Sequence, residues 1–429
     1  MKLIKTDGVV EYEYIKTMRL REAAVSSTVT DDVRRIISDV TENGDAALIK
    51  YTAKFDGINL STLEVSCEEI QDAYNTADEK LINVMEKAAE NIRKYHEKQL
   101  KDGYSITLDG GSVIGQRIRS LTRVGIYVPA GTAPYPSSVL MNAIPASVAG
   151  VKEIIMVTPP QKDGNADKNI LAAAKIAGVT RIFKVGGAQA VAALAYGTQT
   201  IPQVDKITGP GNVYVATAKR EVFGVVNIDM IAGPSEILII ADKNANPGYI
   251  AADLLSQAEH DVKASAILLT TSKELAQRVC ASVDEQLESL SRKDIAKKSI
   301  EQFGCMIICR NNEEMFNISN TIAPEHLEIL TENPMNDLEQ VINAGSVFLG
   351  EYSPEPLGDY FAGTNHVLPT SGSARFSSPL SVDDFIKKSS YINYTRKDLE
   401  RVHDDIEYFA NAEGLTAHEN SIKVRFAKQ

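Results

Sequence analysis

Residues 236–310 contain three short apolar runs, EILIIAD (236–242), AILLTTS (266–272) and GCMIICR (304–310). The segments between these runs have the apolar spacing of helices. Short apolar runs are typical of buried strands, and strands that alternate with helices predict a parallel sheet with crossover helices. This stretch therefore predicts an α/β fold.

The same alternation occurs once before in the chain. RVGIYVPAG (123–131) is an apolar run closed by Pro129 and Gly131, EIIMVTPP (153–160) is a second, and RIFKVGGAQA (181–190) runs into a helix. Two stretches of this kind predict two doubly wound, Rossmann-like domains. More than one domain also agrees with the length of 429 residues, which is too long for one simple core.

The C-terminal part has a different pattern. SVDDFIKKSSYINY (381–394) and DLERVHDDIEYFANAEGL (398–415) are predicted to be helices, and TAHENSIKVRF (416–426) follows as a tail. These segments lie outside the two stretches of alternating strands and helices.

The composition excludes several classes of function. A formal net charge of −12 argues against nucleic acid as a partner, because binding to phosphates depends on Lys and Arg. We expect no membrane span, because no apolar run approaches ~18 residues, and no signal peptide, so a cytoplasmic location is predicted. The four cysteines are too few for a disulfide framework. Cys305 and Cys309 lie in a predicted strand and are interpreted as buried thiols, not as a metal pair.

Four of the six histidines lie in unusual local sequences. These are SQAEH, APEH, GTNH and LTAH, which end in His260, His326, His366 and His418. His96 and His403 lie in charged helical segments and are predicted to be exposed to solvent. Any one such histidine is more often structural than functional, but four of them together favour a site.

Two of these motifs pair the histidine with a second polar group. Gln257 and His260 are three residues apart at a predicted helix end, so both side chains lie on one face and could bind a metal; capping or packing by Gln257 is the alternative. Glu325 and His326 follow a proline in a predicted turn before a helix. They could act as a pair of bases, or as a capping Glu beside a surface His.

Other candidate groups lie in loops. EPLGDYFAGTNHVLPTSG (355–372) is irregular and holds Asp359 and His366. The Gly-Pro turns of GPGNVYVATAKR and AGPSEILII can expose backbone donors to a ligand. Since no GxGxxG follows a strand, a bound dinucleotide would not use the usual Rossmann fingerprint.

Taken together, these segments resemble the histidinol dehydrogenase family, in its order and spacing, over nearly the whole chain. The matching segments are RVGIYVPAG, KVGGAQAVAALAYGT, DKITGPGNVYVATAKR, AGPSEILII, DLLSQAEHD, TIAPEHLEI, GDYFAGTNHVLPT and EGLTAHENSIKVR. The resemblance implies oxidation of L-histidinol to L-histidine through L-histidinal, with two NAD reduced, in the last steps of histidine biosynthesis.

The resemblance also implies roles for individual residues. One zinc ion per subunit would be held by Gln257, His260, Asp359 and His418, and Glu325 and His326 would be the catalytic pair. The residues implied to contact the substrate are Ser235, Gln257, His260, His326, Asp359, His366, Glu413 and His418. Those implied to contact NAD are Tyr127, Gln189 and Asn212.

The family's architecture implies a domain-swapped homodimer in which the C-terminal segment completes the partner's active site. One Rossmann-like domain would comprise residues 22–126 and 237–380, and the second residues 127–236. Residues 1–21 and 381–429 would be small dimerisation segments.

Three other functions are compatible with parts of the pattern. A relative could oxidise another small polyol or a sulfonated alcohol, although such a substrate would not need this ligand set. A zinc hydrolase could use Glu325 as its base, but no HExxH helix is present. A zinc-binding scaffold without catalysis would not be expected to keep Glu325 and His326.

Overall fold

The computed structural model describes residues 1–23, 27–130 and 134–427, with the backbone alone for residues 19–23. Gly131, which is predicted to close a strand, lies outside these residues. The strands are β1 (Lys2–Lys5), β2 (Tyr104–Thr107), β3 (Val113–Ser120), β4 (Arg123–Tyr127), β5 (Glu153–Thr158), β6 (Arg181–Lys184), β7 (Lys206–Thr208), β8 (Asn227–Ile228), β9 (Glu236–Ala241), β10 (Ser265–Thr270), β11 (Cys305–Ile308), β12 (His326–Leu330), β13 (Ser346–Leu349) and β14 (Ile386–Asn393).

Helices connect most of these strands. They are α1 (Val10–Ala23), α2 (Ser27–Asn43), α3 (Asp45–Phe55), α4 (Cys67–Thr76), α5 (Glu79–Glu97), α6 (Pro136–Val148), α7 (Lys168–Ala177), α8 (Gly187–Tyr196), α9 (Val213–Val222), α10 (Pro247–Ala258), α11 (Lys273–Leu287), α12 (Lys293–Phe303), α13 (Asn312–Ile322), α14 (Pro334–Asp337), α15 (Glu355–Tyr360), α16 (Arg396–Ala412) and α17 (Thr416–Lys423). Short 3-10 helices cover Leu338–Gln340, Ser373–Arg375 and Val382–Phe385.

The chain divides into two compact units. The larger unit comprises residues 1–99 and 121–385, and it contains two sheets. The strand orders are β1-β11-β10-β9-β12-β13 and β6-β5-β4-β7-β8, and neighbouring strands are parallel in both. The predicted α/β class with parallel sheets is confirmed.

Strand β9 shows why the sequence forms buried parallel strands. All six of its residues are buried. Ile237 and Ile239 pack into the core formed with α10, α11 and α12, whereas Leu238 and Ile240 pack on the opposite face, into the core formed with α1 and α13. A strand covered on both faces favours apolar side chains along its length, which explains the apolar run from Ile237 to Ala241.

The smaller unit comprises residues 100–120 and 386–429. Its sheet has the order β14-β3-β2 and is antiparallel, and α16 and α17 pack together. The prediction of a helix over residues 381–394 is wrong, because β14 pairs along its whole length with β3. Cross-strand pairing there outweighs the local helical pattern. The predicted tail 416–426 is mostly the helix α17.

A second correction concerns TIAPEHLEIL (321–330). The segment after Pro324 is predicted to lead into a helix, but residues 326–330 form the buried strand β12, which lies between β9 and β13. An apolar run of five buried residues has the usual length of a strand and is too short for a helix that packs in a core. The correction matters because it places Glu325 and His326 at a strand end.

Two features agree with the composition. None of the helices in the described ranges combines the length and apolarity needed to cross a bilayer. Cys305 and Cys309 are buried as predicted, and burial raises the pKa of each thiol to about 12. Both thiols are therefore uncharged at neutral pH.

Replacing Phe183 by Ala should lower the free energy of unfolding by about 3–5 kcal/mol, because the fully buried ring of β6 fills the core beneath α8. Phe376→Ala is the matched control, since that ring is 79% exposed and its loss should cost less than ~0.5 kcal/mol. Chemical denaturation of both variants checks this, and equal losses would contradict the assigned core.

Candidate functional site

Two cavities in the larger unit collect most of the residues predicted from the sequence. One has a volume of about 770 Å³ and is lined, among others, by Asn212, Ser235, Gln257, His260, Glu325, His326, Asp359 and His366. The other, of about 860 Å³, is lined by Tyr127, Gln189 and Asn212 among others. Pro129, Tyr135 and Asn212 line both, so the cavities adjoin.

The two sheets face these cavities with opposite strand ends. Ser235 directly precedes β9 and Glu325 directly precedes β12, so the six-stranded sheet contributes the amino ends of its strands. Tyr127 ends β4 and Gly209 follows β7, so the five-stranded sheet contributes carboxyl ends. Carboxyl ends of parallel strands are the usual place for a ligand in such sheets.

The local backbone fixes the direction of Glu325 and His326. Helix α13 ends at Ile322; its C-cap residue, Ala323, has a left-handed conformation with φ 54°, and Pro324 follows. The Glu325 Oε2 atom accepts a hydrogen bond of 2.8 Å from the backbone N–H of Glu236 and lies 3.6 Å from Nδ1 of His326. Both side chains are buried, which excludes a capping Glu beside a surface His.

The His326 ring has polar neighbours on both sides. Its Nδ1 atom lies 2.7 Å from Nε2 of Gln257 and 3.0 Å from the carbonyl oxygen of Glu236. Its Nε2 atom has no hydrogen-bond partner and lies 3.8 Å from carboxylate oxygens of both Glu355 and Asp359. Gln257 and Asp359, which are far apart in sequence, therefore meet at this ring.

Burial and charge shift the pKa values of the pair. Burial raises the pKa of Glu325 to about 7, against the opposing effect of His326. For His326, burial acts to lower the pKa, but the negative charges of Glu325, Asp359 and Glu355 outweigh it and raise the pKa to about 10. Without a metal ion, the site therefore favours a protonated imidazole among carboxylates.

Glu355 is a site residue that the sequence analysis missed. It lies four residues before Asp359 on the short helix α15, so the two carboxylates share a face. Ligand atoms of Glu355, Asp359 and His326 lie within 4.8 Å of one another. Burial raises the pKa of Glu355 to about 8. Burial also acts to raise the pKa of Asp359, but the neighbouring rings of His326 and His366 outweigh it and lower that pKa. The i, i+4 spacing was the available signal, but this stretch was predicted to be irregular.

The residues present fit a divalent cation. The Oε1 atoms of Gln257 and Glu355 are buried and have no hydrogen-bond partner. An unpaired buried oxygen is costly, and a cation would satisfy it. Oxygen and imidazole donors are also the types that zinc accepts. Of the four predicted ligands, Gln257, His260 and Asp359 line one cavity.

His260 and His366 occupy the sides of this cavity. His260 lies just beyond α10, is exposed, and donates its backbone N–H to the Gln257 carbonyl at 3.2 Å. His366 is partly buried, with Nδ1 3.1 Å from the carbonyl oxygen of Asp359. Burial lowers the pKa of His366, which favours the neutral ring. A neutral imidazole can accept a hydrogen bond from a ligand.

The remaining two predicted substrate residues belong to the smaller unit. Glu413 is the residue after α16, and His418 lies on α17. Both side chains are exposed.

The residues predicted to contact NAD lie at or against the starts of two helices, α8 and α9. The hydroxyl group of Tyr127 accepts a 3.0 Å hydrogen bond from the N–H of Gly187, where α8 begins, and Gln189 is buried with an unpaired Oε1. Asn212 caps α9 by accepting hydrogen bonds from Tyr214 and Val215. Helix N-termini and turns of this type attract anionic groups such as a pyrophosphate.

His96 is a further correction. It is predicted to be exposed to solvent, but it is fully buried on α5. Its Nδ1 atom lies 2.7 Å from the carbonyl oxygen of Ile92, and Nε2 lies 3.4 Å from the side-chain nitrogen of Asn365. The charged residues around it occupy the opposite face of the helix.

An α/β chain with a buried Glu–His pair in one cavity and an adjoining second cavity has an organisation that suits an enzyme with a cosubstrate. Comparison with known proteins agrees. The sequence profile of histidinol dehydrogenase matches residues 19–426. The histidinol dehydrogenases of Clostridium acetobutylicum and Bacillus cereus are each 56% identical to this chain, over 98% and 100% of both sequences respectively.

A solved structure gives the same result. The crystal structure of histidinol dehydrogenase from Elizabethkingia anophelis superposes with a TM-score of 0.93 at 41% identity, covering 99% of this chain and 98% of that one. The chain belongs to the histidinol dehydrogenase family. The predicted family and the predicted class of enzyme, an oxidoreductase, are confirmed.

Proposed function

We propose that this chain is a zinc- and NAD-dependent histidinol dehydrogenase that oxidises L-histidinol to L-histidine through L-histidinal, reducing two NAD. The observation that carries the proposal is the buried pair of Glu325 and His326 in a cavity that adjoins the one lined by Tyr127 and Gln189. A substrate held beside the pair could present its carbinol carbon to a nicotinamide in the second cavity.

The zinc ligands in this proposal are Gln257, His260, Asp359 and His418. Zinc does not change oxidation state, so when bound it would supply a fixed positive charge that orients the substrate's imidazole and amino nitrogens. The unpaired oxygen of Gln257 and the low pKa of Asp359 support these assignments, since a ligand must offer a free lone pair and a carboxylate must be ionised. The carboxylate of Glu355 would lie next to these proposed zinc ligands, close to Asp359.

The catalytic pair has two roles in the proposal. His326 accepts the hydroxyl proton as hydride leaves the carbinol carbon. Glu325 activates the water that hydrates the aldehyde before the second hydride transfer. The pKa of about 7 at Glu325 supports this role, because a general base works best when its pKa lies near the working pH.

Substrate and cofactor contacts complete the proposed site. Ser235, His366 and Glu413 would bind the substrate, the carboxylate of Glu413 suiting its polar nitrogen groups. Tyr127, Gln189 and Asn212 would bind NAD without a GxGxxG fingerprint. The unpaired, buried amide oxygen of Gln189 supports such a contact.

We further propose a cytoplasmic, domain-swapped homodimer in which Glu413 and His418 of one subunit complete the other subunit's site. The smaller unit supports this because it exposes large apolar side chains; Ile392, Tyr408 and Phe409 are 73%, 80% and 68% exposed. An isolated chain rarely leaves so much apolar surface uncovered. The division into domains 22–126 with 237–380, and 127–236, remains a prediction.

Purified protein should form two NADH per L-histidinol supplied. Chelation should abolish this activity, and zinc should restore it, because three of the proposed ligands line the substrate cavity. Magnesium add-back is the control, since Mg²⁺ prefers all-oxygen sites. If zinc-loaded protein forms no NADH from histidinol but oxidises another alcohol, the proposed substrate is wrong and the proposed site is retained.

Substitutions should separate the two steps. His326→Asn should slow oxidation of both histidinol and histidinal by roughly 10²–10⁴-fold. Glu325→Gln should slow the oxidation of histidinal far more than the oxidation of histidinol, because only the oxidation of histidinal needs an activated water. Single-turnover NADH formation from each substrate measures this. Glu339→Gln, an exposed carboxylate, is the control and should change neither step. Equal losses in both steps for Glu325→Gln would contradict the division of roles.

Mixed subunits test the domain swap. His418→Ala and His326→Asn homodimers should each be inactive, but heterodimers formed from both should have one intact site if the C-terminal segment crosses between subunits. Random reassortment should then recover about a quarter of the wild-type activity. Measurement uses co-expressed, separately tagged subunits. Recovery of no activity in isolated heterodimers would place His418 in its own subunit's site.

A further inference from the structure

A buried ion pair lies beside the turn that lines both cavities. Lys219 is on α9 and Asp229 follows β8, and their side chains are 3% and 1% exposed. The ammonium group contacts the carboxylate. A buried pair of charges is often no more stabilising than an apolar pair of similar size, so stability alone does not account for it. Its other contacts indicate what it does.

Both charges hold the backbone of one residue, Gly209. The Nζ atom of Lys219 donates to the carbonyl oxygen of Gly209 at 2.9 Å, and the N–H of Gly209 donates to Oδ2 of Asp229 at 2.8 Å. Gly209 has a φ of +112°, and a Cβ atom there would lie 2.1 Å from the carbonyl oxygen of Tyr127. The turn at Gly209 therefore has one tightly defined position against β4.

This turn leads directly to the cavity wall. The next residues, Pro210, Gly211 and Asn212, line the first cavity, and Asn212 also lines the second. Asn212 begins α9, and Lys219 lies two turns further along the same helix. The ion pair thus fixes the segment that carries a proposed NAD contact.

Asp229 also anchors a second segment. Its Oδ1 atom accepts a 2.6 Å hydrogen bond from the N–H of Met230. The chain continues from there through Ile231 to Ser235, and these five residues line the first cavity. The same carboxylate therefore binds the turn at Gly209 and the start of the segment that carries a proposed substrate contact.

We propose that Lys219 and Asp229 are positioning residues that set the distance between the Asn212 turn and the 231–235 segment, and thereby between NAD and the alcohol. The inference rests on the proposed function, because it concerns the alignment of those two reactants. Hydride transfer needs reacting atoms ~3–3.5 Å apart, and a displacement of about 1 Å can lower the rate ~10²-fold. Loosening this pair should therefore lower kcat as well as weaken NAD binding.

The test is the double variant Lys219→Met/Asp229→Leu, which removes both holds on Gly209 without leaving an unpaired buried charge. NAD affinity by calorimetry should fall about 10-fold and kcat roughly 10–100-fold. Hydrogen exchange should rise in peptides covering residues 205–216 and 229–236, and in these alone. A purely structural role would shift the melting temperature without changing NAD affinity.

Lys206→Met/Asp384→Leu is the matched control. Lys206 is also buried, and its Nζ atom lies 2.7 Å from Oδ1 of Asp384. Lys206 is the first residue of β7, whereas Gly209 follows the last residue of that strand. Neither Lys206 nor Asp384 lines either of the two cavities. NAD affinity and kcat should stay within twofold of the wild type.

The outcomes separate the inference from the proposed function. A folded Lys219→Met/Asp229→Leu variant with NAD affinity and kcat within twofold of the wild type overturns the inference. If that variant does not fold, Lys219→Met/Asp229→Asn is the substitute, because the Asn carbonyl oxygen keeps an acceptor for one of the two N–H groups, of Gly209 and Met230, that Asp229 binds. Unchanged NAD affinity in that variant also overturns the inference, and about threefold weaker binding supports it. Wild-type protein that binds no NAD overturns the proposed function. In that case faster exchange at both 205–216 and 229–236 in the double variant still supports the holding of these two segments by the ion pair, and unchanged exchange overturns it.

Discussion

The burial of both faces of the central parallel strands, such as β9, β10 and β12, is the constraint on which the site depends. In β9 alternate side chains enter two different apolar cores, so no polar group can be placed along the strand without burying it unpaired. Polar side chains are accommodated mainly where strands end; Glu328, inside β12, is buried, and its carboxylate accepts a 2.8 Å hydrogen bond from the N–H of Glu355. Glu325 and His326 stand at such an end, and the Glu325 carboxylate takes its hydrogen bond from the backbone of the neighbouring strand end at Glu236.

Electrostatics then decide what this strand end can do. A single imidazole faces the carboxylates of Glu325, Glu355 and Asp359, and this excess of negative charge keeps the pKa of His326 far above its usual value. A divalent cation bound next to Asp359 would offset that charge and lower the pKa of the ring towards the range of a base. A bound cation and the His326 ring would therefore be coupled electrostatically, because both would interact with the same carboxylates.

The sequence predicted the parts of this arrangement that depend on local pattern. EILIIAD could be recognised because a strand buried on both faces needs apolar residues throughout. His326 was assigned to the wrong element, because Glu328 and the preceding proline weaken the strand pattern of HLEIL, and the pairing with β9 and β13 is not visible in one segment. Glu355 was missed for a related reason: its role depends on a helix of six residues that the Pro- and Gly-rich surroundings conceal. The buried His96 depends on packing against Asn365, 269 positions away.

The path of the chain explains why contacts predicted from distant motifs come together. Residues 229–235 are the crossover from the five-stranded sheet, at β8, to the six-stranded sheet, at β9. This crossover passes along the first cavity, so one connection joins the carboxyl end of one sheet to the amino end of the other. Asn212 and Ser235 line the same cavity, and their separation depends on how the crossover that ends at Ser235 is held against the turn at Gly209. Neither sheet could fix this separation by itself, because Asn212 follows a strand of the five-stranded sheet and Ser235 precedes a strand of the six-stranded sheet.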